Sequence, residues 1–325
     1  MAKTPTKILL IRFSSIGDIV LTTPIIRCLK KQLKADVHYL TKQSFSCLLA
    51  HNPYIDKVFT LNKKVSEVLP DLKKEGYDYV IDLHKNLRSS QVKFALKAKS
   101  YSFNKINFEK WLIVNFKINR LPNIHIVDRY FETVKELGIE NDEEGLDYFL
   151  PNDFKSQYQE LFNIQGYIVF AIGAAHLTKR LPKEKIISIC QKIKQPTFLI
   201  GGKDVEKEGV EIAKKCGDNI QNLCGKLSLH DSAALIRDAS KVITHDTGMM
   251  HISAAFQKEI ISIWGNTIPG LGMYPYYEKG VERNTTIEIK NLSCRPCSKI
   301  GYPKCPKGHF KCMMDISEEE IIQKI

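Results

Sequence analysis

The feature that most constrains the fold of this 325-residue sequence is a regular alternation of strand and helix patterns, which occurs twice. Apolar segments with helical spacing separate short apolar, β-branched runs. The predicted strands of the first half are residues 7–13, 37–40, 57–61 and 79–83, and those of the second half are residues 167–172, 197–200, 241–244 and 260–264. Alternation of this kind is typical of parallel sheets with helices on both faces. We therefore predict an α/β fold with two similar domains facing a cleft.

A polar stretch around residues 142–153, with acidic residues, Gly145 and Pro151, reads as the linker between the two repeats. We place the domains at residues 1–150 and 151–325, consistent with roughly 100–200 residues per domain. No apolar run approaches the about 20 residues that a spanning helix needs. The N-terminal run is interrupted by Arg12 and no small-residue cleavage site follows it. We therefore expect no signal peptide and a cytoplasmic location.

The net charge of +12 is concentrated at one end of the chain. Residues 1–120 contain 22 Lys and Arg against 9 Asp and Glu, whereas the remaining residues contain 26 against 27. The first third should therefore face an anionic partner such as nucleic acid, an acidic membrane surface or an acidic saccharide, unless it is simply a solvated lysine-rich surface. No recognised nucleic-acid motif interleaves aromatic and basic residues here, so we expect no nucleic-acid partner.

Four of the nine cysteines fall within residues 294–312, and the other five lie among apolar neighbours. The four clustered residues are Cys294, Cys297, Cys305 and Cys312. Their C-x2-C-x7-C-x6-C spacing fits a tetrahedral zinc site loosely, with His309 able to replace one cysteine. Three interpretations stay open: a structural zinc site, reduced cysteines, or a disulfide formed on isolation.

Three turns after predicted strands carry chemically useful side chains, because ligands of open α/β sheets sit beyond the carboxyl ends of the strands. The first turn is Ser14-Ser15-Ile16-Gly17-Asp18. In it Asp18 is either a general base or simply the cap of the next helix. The second turn contains Lys179 and Arg180, which can neutralise a phosphate or be solvated.

The third turn, residues 244–251, leads from a strand into a helix. Backbone amides around Thr247–Met249 suit a diphosphate, and His251, one turn into the helix, can reach the same oxygens. The alternative is an ordinary helix cap followed by a core histidine. Neither GxxxxGK[ST] nor GxGxxG is present, so the usual nucleoside-triphosphate loop and dinucleotide fingerprint are absent from the sequence.

Taken together, these segments resemble a known family over nearly the whole chain. In order, they read RFSSIGDIVLTTPIIRCLK, YDYVIDLHKNLRSS, TKRLP, LIGG, NLCGKLSL and VITHDTGMMHISAA. Their order and spacing resemble the ADP-heptose:lipopolysaccharide heptosyltransferases, glycosyltransferase family nine. The resemblance implies a GT-B fold with two Rossmann-like domains, with the acceptor on the N-terminal domain and the nucleotide sugar on the C-terminal domain.

The resemblance also assigns roles to individual residues. Asp18 matches the base of an inverting transfer, while Ser14, Ser15 and Arg88 match residues around an acidic acceptor. The implied donor-binding residues are Lys179, Glu206, Asp246, Thr247, Gly248 and His251. Glu206 is chosen over Asp204 as the acidic residue that meets the ribose.

The function implied is transfer of heptose from ADP-heptose to an acidic inner-core lipopolysaccharide or related glycolipid. The enzyme would contact the cytoplasmic face of the inner membrane peripherally. No cofactor is expected for catalysis, because the resemblance implies a leaving group stabilised by basic side chains and helix ends. A GT-B transferase that uses a UDP or GDP sugar stays open as the alternative. The final residues 315–325 are predicted to be a helix capped by Ser317.

Overall fold

A computed structural model describes residues 5–325 and divides the chain into two compact units. Unit 1 comprises residues up to 105 together with 124–151, and unit 2 comprises residues 106–123 and 152–325. Residues 106–123 therefore cluster with unit 2, although they precede the end of unit 1 in the sequence. Each unit is built on a parallel sheet.

The sheet of unit 1 has the strand order β3-β2-β1-β4-β5. Its strands are Lys7–Ile11 (β1), Asp36–Lys42 (β2), Lys57–Leu61 (β3), Tyr79–Asp82 (β4) and Lys99–Ser102 (β5). The central strand β1 pairs with β2 on one side and with β4 on the other. Its apolar residues are fully buried because helices cover both faces. The chain reverses its winding between β1 and β4, where ligands bind in open α/β sheets.

The sheet of unit 2 has the order β11-β10-β9-β6-β7-β8. Its strands are Ile168–Ala171 (β6), Thr197–Ile200 (β7), Ile220–Asn222 (β8), Lys241–His245 (β9), Glu259–Trp264 (β10) and Asn284–Glu288 (β11). Here the winding reverses between β6 and β9, which are paired from Ile168 with Lys241 to Ala171 with Thr244. The turns after these two strands are therefore the expected ligand-binding edge of unit 2.

Helices connect these strands and flank them in the sequence. Those of the first half are Ile16–Val20 (α1), Thr23–Leu33 (α2), Leu69–Glu75 (α3), Leu87–Leu96 (α4), Asn107–Phe116 (α5) and Ile126–Phe131 (α6). Those of the second half are Gln159–Phe162 (α7), Lys183–Lys192 (α8), Glu206–Lys215 (α9), Leu229–Asp238 (α10), Gly248–Ala255 (α11), Lys311–Met314 (α12) and Glu318–Ile322 (α13). None of the helices within residues 5–325 combines the length and the apolarity needed to cross a membrane.

Most predicted elements are confirmed, with differences that have local causes. Residues 16–33 form two helices, α1 and α2, and Pro24 in the first turn of α2 accounts for the second start. The basic and aromatic segment at residues 104–119 contains the helix α5. The terminal helix α13 is capped by Ser317, whose side chain accepts from the Glu320 amide.

Most of the predicted linker, residues 142–151, belongs to unit 1. The guanidinium of Arg27, 2% exposed, donates to both carboxylate oxygens of Asp142 at 2.7 Å, to the Asp147 carboxylate and to the Gly145 carbonyl at 2.9 Å. These bonds fasten residues 142–147 to α2. The acidic residues that mark this stretch in the sequence therefore balance a buried arginine.

Candidate functional site

The turn after β1 holds Asp18 in a fixed position. One carboxylate oxygen, Oδ2, accepts hydrogen bonds from the Ser15 amide at 3.1 Å and from the Ser15 hydroxyl at 2.7 Å. The other, Oδ1, forms an ion pair with the largely buried guanidinium of Arg12. Ser15 is the N-cap residue of α1, and Asp18, three residues further on, completes a capping box by accepting from the Ser15 amide. Asp18 is therefore not itself the N-cap residue, and its side chain is still 20% exposed. The cap therefore leaves part of the carboxylate at the surface of the turn.

Arg12 links this turn to the turn after β4. Its guanidinium also donates to the carbonyl oxygens of Ser14, at 3.0 Å, and of Leu83. Because β1 and β4 are neighbours, these bonds draw together the two turns that flank the winding reversal of unit 1. The sequence places Arg12 directly after an apolar strand run, but it does not show that the guanidinium joins these two turns.

The turn after β4 is organised by Asp82, which is fully buried. Its carboxylate accepts from the amides of His84 at 3.0 Å and Lys85 at 2.6 Å, from the Ser89 hydroxyl at 2.7 Å, and pairs with Lys93 at 3.1 Å. The turn leads into α4, where Arg88 is exposed in the first helical turn. Arg88 is therefore exposed to solvent at the start of a helix whose preceding turn is held in place by Asp82.

His84 lies beside this pair of turns, with its ring 5.1 Å from the ring of Phe13. Burial, and next the positive charge of Arg12, lower the pKa of His84 to about 4. The imidazole is therefore neutral near pH 7 and adds no charge to this edge of unit 1.

In unit 2, the turns after β6 and β9 meet through Lys179 and Asp246. The ammonium of Lys179 donates to Oδ2 of Asp246 at 2.6 Å and to its carbonyl oxygen at 3.2 Å. Thr267, after β10, donates its hydroxyl to the same Oδ2 at 2.8 Å. Both charged groups are mostly buried, with side chains 15% and 11% exposed. The fold thus assembles two groups that the sequence places in separate motifs, and it adds Thr267, which sequence reasoning missed.

The helix α11 begins directly after this pair. Thr247 is its N-cap residue but makes no side-chain capping bond, and its hydroxyl lies 3.3 Å from that of Thr244 instead. The amides of the first turn, which begins at Gly248, therefore have no side-chain cap. His251 is buried one turn further along the helix. This arrangement keeps backbone donors at the positive end of the α11 dipole.

His245, the last residue of β9, has a structural role. It is fully buried, and its Nε2 accepts a hydrogen bond from the Leu181 amide at 3.0 Å. Burial, and next the charge of Arg180, lower the pKa of His245 to about 3. The neutral ring therefore fastens the turn after β6 to the end of β9.

The turn after β7 adds two acidic residues to this edge of unit 2. The Asp204 carboxylate pairs with Arg180, which also donates to the Ala174 carbonyl. Glu206 begins α9 and is exposed, and a Cβ atom built on Gly225 would lie 3.0 Å from its Oε2. The Glu206 side chain therefore lies over the backbone at Gly225, without an arginine partner of the kind that Asp204 has.

The loop after β10, which carries Thr267, is held by Arg295 from the cysteine-rich segment. The Arg295 guanidinium donates to the carbonyls of Gly265 at 2.6 Å and Thr267 at 2.8 Å, and pairs with Glu288 at 2.9 Å. Between these two carbonyls lies Asn266, which is 1% exposed, and neither atom of its side-chain amide has a hydrogen-bond partner among the described residues. Arg295 thus positions Thr267 against Asp246.

The cysteine-rich segment does not support the expected zinc site. Cys294 Sγ lies 3.8 Å from His309 Nε2, and Cys297 donates its thiol to the Cys294 carbonyl at 3.0 Å. Within residues 5–325, no group of three or more His, Cys, Asp or Glu side chains is arranged to hold a metal ion. Burial raises the pKa of the Cys297 thiol to about 12 and that of the Cys312 thiol to about 11. Cys305 is also a free cysteine.

Comparison with known proteins identifies the family and the fold of the chain. The sequence model of glycosyltransferase family 9 (heptosyltransferase) matches residues 66–305. Lipopolysaccharide heptosyltransferase 1 of Campylobacter coli is 26% identical over 350 aligned residues, which cover 98% of each chain. Two solved structures share the fold. The family 9 glycosyl transferase of Veillonella parvula has a TM-score of 0.79 at 23% identity, covering 100% of this chain and 97% of that one. The Escherichia coli ADP-heptose LPS heptosyltransferase II has a TM-score of 0.75 at 17% identity, covering 98% of this chain and 97% of that one.

The fold is therefore of the GT-B type, with a parallel sheet in each unit, and the protein is a glycosyltransferase. The chain belongs to glycosyltransferase family 9, the heptosyltransferase family. The fold and the family that the sequence motifs imply are both confirmed.

Proposed function

We propose that the enzyme transfers a heptose from ADP-heptose to the inner core of a lipopolysaccharide or a related glycolipid, with inversion at the anomeric carbon. The observation that carries this proposal is the contact of Lys179 with Asp246 at the winding reversal of unit 2, directly before the uncapped start of α11. A cation beside free helix amides suits a diphosphate. The names of two relatives, a lipopolysaccharide heptosyltransferase and an ADP-heptose LPS heptosyltransferase, support the choice of sugar and acceptor.

Unit 2 is the proposed donor domain. Lys179 and the first-turn amides of α11, at Thr247 and Gly248, bind the two phosphates, and His251 supports them from the next turn. Asp246 orients Lys179 through their ion pair, and Glu206 accepts from the ribose hydroxyls. The role of Glu206 is supported by its exposure at the start of α9, whereas Asp204 is occupied by Arg180.

Unit 1 is the proposed acceptor domain. Asp18 is the general base, held by Arg12 and Ser15 so that one edge of its carboxylate faces solvent. Ser14 and Ser15 form the wall of the acceptor site, and Arg88 binds an acidic group of the acceptor. The excess of positive charge in residues 1–120 favours an anionic glycolipid.

The proposed reaction needs only these groups and the two substrates. The Asp18 carboxylate takes the proton of an acceptor hydroxyl while that oxygen forms a bond to the anomeric carbon. The bond from the anomeric carbon to the β-phosphate oxygen breaks, and its electron pair leaves with ADP. Lys179 and the α11 amides balance the charge that grows on the diphosphate. The proton on Asp18 passes to solvent afterwards. The glycolipid acceptor favours a place on the cytoplasmic face of the inner membrane.

The first test is a thermal-shift titration of the full-length protein with ADP, UDP, GDP, CDP and ADP-heptose. We expect ADP and ADP-heptose to raise the melting temperature in proportion to their binding, and the other nucleotides to have little effect. A selective response to UDP or GDP would contradict ADP-heptose as the donor, but it would still agree with a GT-B glycosyltransferase that uses another nucleotide sugar. Heptose transfer to a heptose-deficient lipopolysaccharide, followed by mass spectrometry, then tests the acceptor.

A further inference from the structure

Exposed apolar side chains are concentrated in and beside α5 of unit 2. Phe108, Trp111, Phe116 and Ile118 are 61%, 50%, 57% and 48% exposed. The Phe108 and Trp111 rings stack with centroids 6.2 Å apart, and the Trp111 and Phe116 rings meet edge-on at 5.0 Å. We call these four residues the aromatic patch. A cluster of large apolar side chains in solvent is typical of an interaction surface.

The aromatic patch lies on a helix that is anchored on its other side. Ile113 is 5% exposed, and its position two residues after Trp111 places it on the opposite face of α5. The Lys117 ammonium donates to the Pro296 carbonyl at 2.8 Å, and the Lys299 ammonium lies 3.5 Å from Oδ1 of Asn107. The helix is therefore fixed to the cysteine-rich segment of unit 2, and its aromatic face is presented outward.

Basic residues are concentrated in the segment that carries the aromatic patch. Between residues 104 and 120 the sequence contains Lys105, Lys110, Lys117 and Arg120, against the single acidic residue Glu109. The neighbouring loop adds Lys299 and the exposed Ile300. Aromatic rings with basic residues around them fit the boundary between lipid headgroups and acyl chains, where tryptophan and the long lysine and arginine side chains are favoured. A protein interface of the usual kind would contain fewer lysines.

We propose that the aromatic patch and the basic residues of the same segment and of the neighbouring loop form a docking surface for an anionic lipid bilayer. The rings enter the headgroup region, and the basic side chains contact the lipid phosphates. The choice of a bilayer over another anionic surface rests on the proposed glycolipid acceptor, because such an acceptor resides in a membrane. The docking itself needs neither donor nor acceptor, so it can be measured separately from transfer.

The two tryptophans of the chain provide a direct measurement. Trp264 is 1% exposed, so a change in tryptophan emission on adding vesicles reports mainly Trp111. We expect vesicles of equal parts phosphatidylglycerol and phosphatidylcholine to shift the emission to shorter wavelength and to protect it from acrylamide. Phosphatidylcholine alone should have a much weaker effect, and added salt should reverse the shift. Unchanged emission with anionic vesicles would overturn the proposal.

Variants give the second measurement. The double substitution Trp111→Ser with Phe116→Ser should weaken co-sedimentation with the anionic vesicles about tenfold or more. The control Phe94→Ser removes an aromatic side chain that is 85% exposed on α4 in unit 1, and it should bind vesicles as the wild type does. Equal binding by the double variant, or a dimer that forms without lipid and is lost in the variant, would overturn docking to lipid.

Transfer is measured on a water-soluble acceptor without acyl chains. The double variant should keep wild-type kcat/KM on it, which separates docking from catalysis. If no heptose transfer is found for any form while the emission shift remains, the proposed function fails and the docking surface stands. A variant that binds vesicles normally but has lost transfer on the soluble acceptor would place these side chains in the acceptor site and overturn the docking proposal.

Discussion

The Lys179 ammonium lies 2.6 Å from the Asp246 carboxylate, although 67 residues separate them in the sequence. The contact joins the turns after β6 and β9, and Thr267 binds the same carboxylate oxygen from the turn after β10. The turns that follow three neighbouring strands of one parallel sheet therefore meet at the Asp246 carboxylate. The position of the Lys179 charge depends on all three turns, because each supplies one of the partners.

Lys179→Met removes the cation proposed to balance the departing diphosphate. We expect kcat to fall by about a hundredfold or more, in the range found when a group that stabilises developing negative charge is lost. Steady-state transfer kinetics with ADP-heptose measure the change. The control is Lys183→Met, which removes a partly exposed lysine at the start of α8 that pairs with Glu211. Equal kinetics for the two variants would exclude Lys179 from the reaction.

Thr267→Val keeps the shape of the side chain and removes its hydrogen bond to Asp246. A bond to a charged group contributes about 1.5–3 kcal/mol, so we expect kcat/KM to fall about tenfold through a less well fixed Lys179. Thr267→Ser retains the hydroxyl and should restore most of the activity. If Val and Ser behave alike, the hydroxyl has no part in positioning the ion pair.

Asp18→Asn tests the general base with little change in shape. The amide can still contact Ser15, but it cannot accept the proton of the acceptor hydroxyl. Transfer should fall by about 10²–10⁴-fold, the usual contribution of a general base, while the thermal shift with ADP stays as in the wild type. Asp71→Asn, at an exposed carboxylate of α3, is the matched control. Turnover close to wild type would reduce Asp18 to a helix cap.

The alternation of patterns predicts the central strands well because they are buried and apolar. The strands that it misses are β5, β8 and β11, and each lies at an edge of its sheet. Their sequences KSYS, IQN and NTTIE are largely polar, since an edge strand is covered on fewer sides. The pattern method therefore fails where burial no longer selects apolar residues.

In the candidate site, too, the sequence predicts some residues and misses others. Asp18, Lys179 and Asp246 can be found because each follows an apolar strand run, and the parallel fold places such ends at one edge. The partners Arg12 and Thr267 escape notice because their roles depend on contacts between turns that the sequence does not bring together. The zinc interpretation finds no support in the described residues for a related reason, since cysteine spacing along the chain does not determine whether the thiols converge.

Arg27→Met removes the buried partner of the Asp142 and Asp147 carboxylates, and also a contact of the more exposed Glu144. Breaking a buried ion pair on one side is strongly destabilising, and we expect a loss of about 3–5 kcal/mol in the free energy of unfolding. Lys31→Met is the control, because its exposed pair with Glu144 should contribute no more than about 1 kcal/mol. Urea denaturation measures both. Similar stabilities for the two variants would mean that solvent already screens the Arg27 cluster.

The buried histidines predict how stability depends on pH. The pKa of His245 is about 3 in the folded protein, whereas an unfolded histidine titrates near its ordinary value of about 6.5. Above that value both states are neutral, and below it only the unfolded state binds the proton. The free energy of unfolding should therefore fall by about 1.4 kcal/mol per pH unit from this group as the pH drops, until the folded pKa is approached. His84, with a pKa of about 4, acts in the same direction.

His245→Gln isolates the contribution of the first histidine. The glutamine side chain can accept from the Leu181 amide in place of Nε2, but it does not titrate. Although the variant can be less stable at every pH, its stability should change less between pH 7 and pH 5, by about 2 kcal/mol relative to the wild type. Denaturant titrations at the two pH values measure this difference. Both proteins contain the same carboxylates, so the contribution of the carboxylates to the pH dependence cancels when the variant is compared with the wild type. Equal pH dependence in the two proteins would mean that His245 binds its proton as readily when folded as when unfolded.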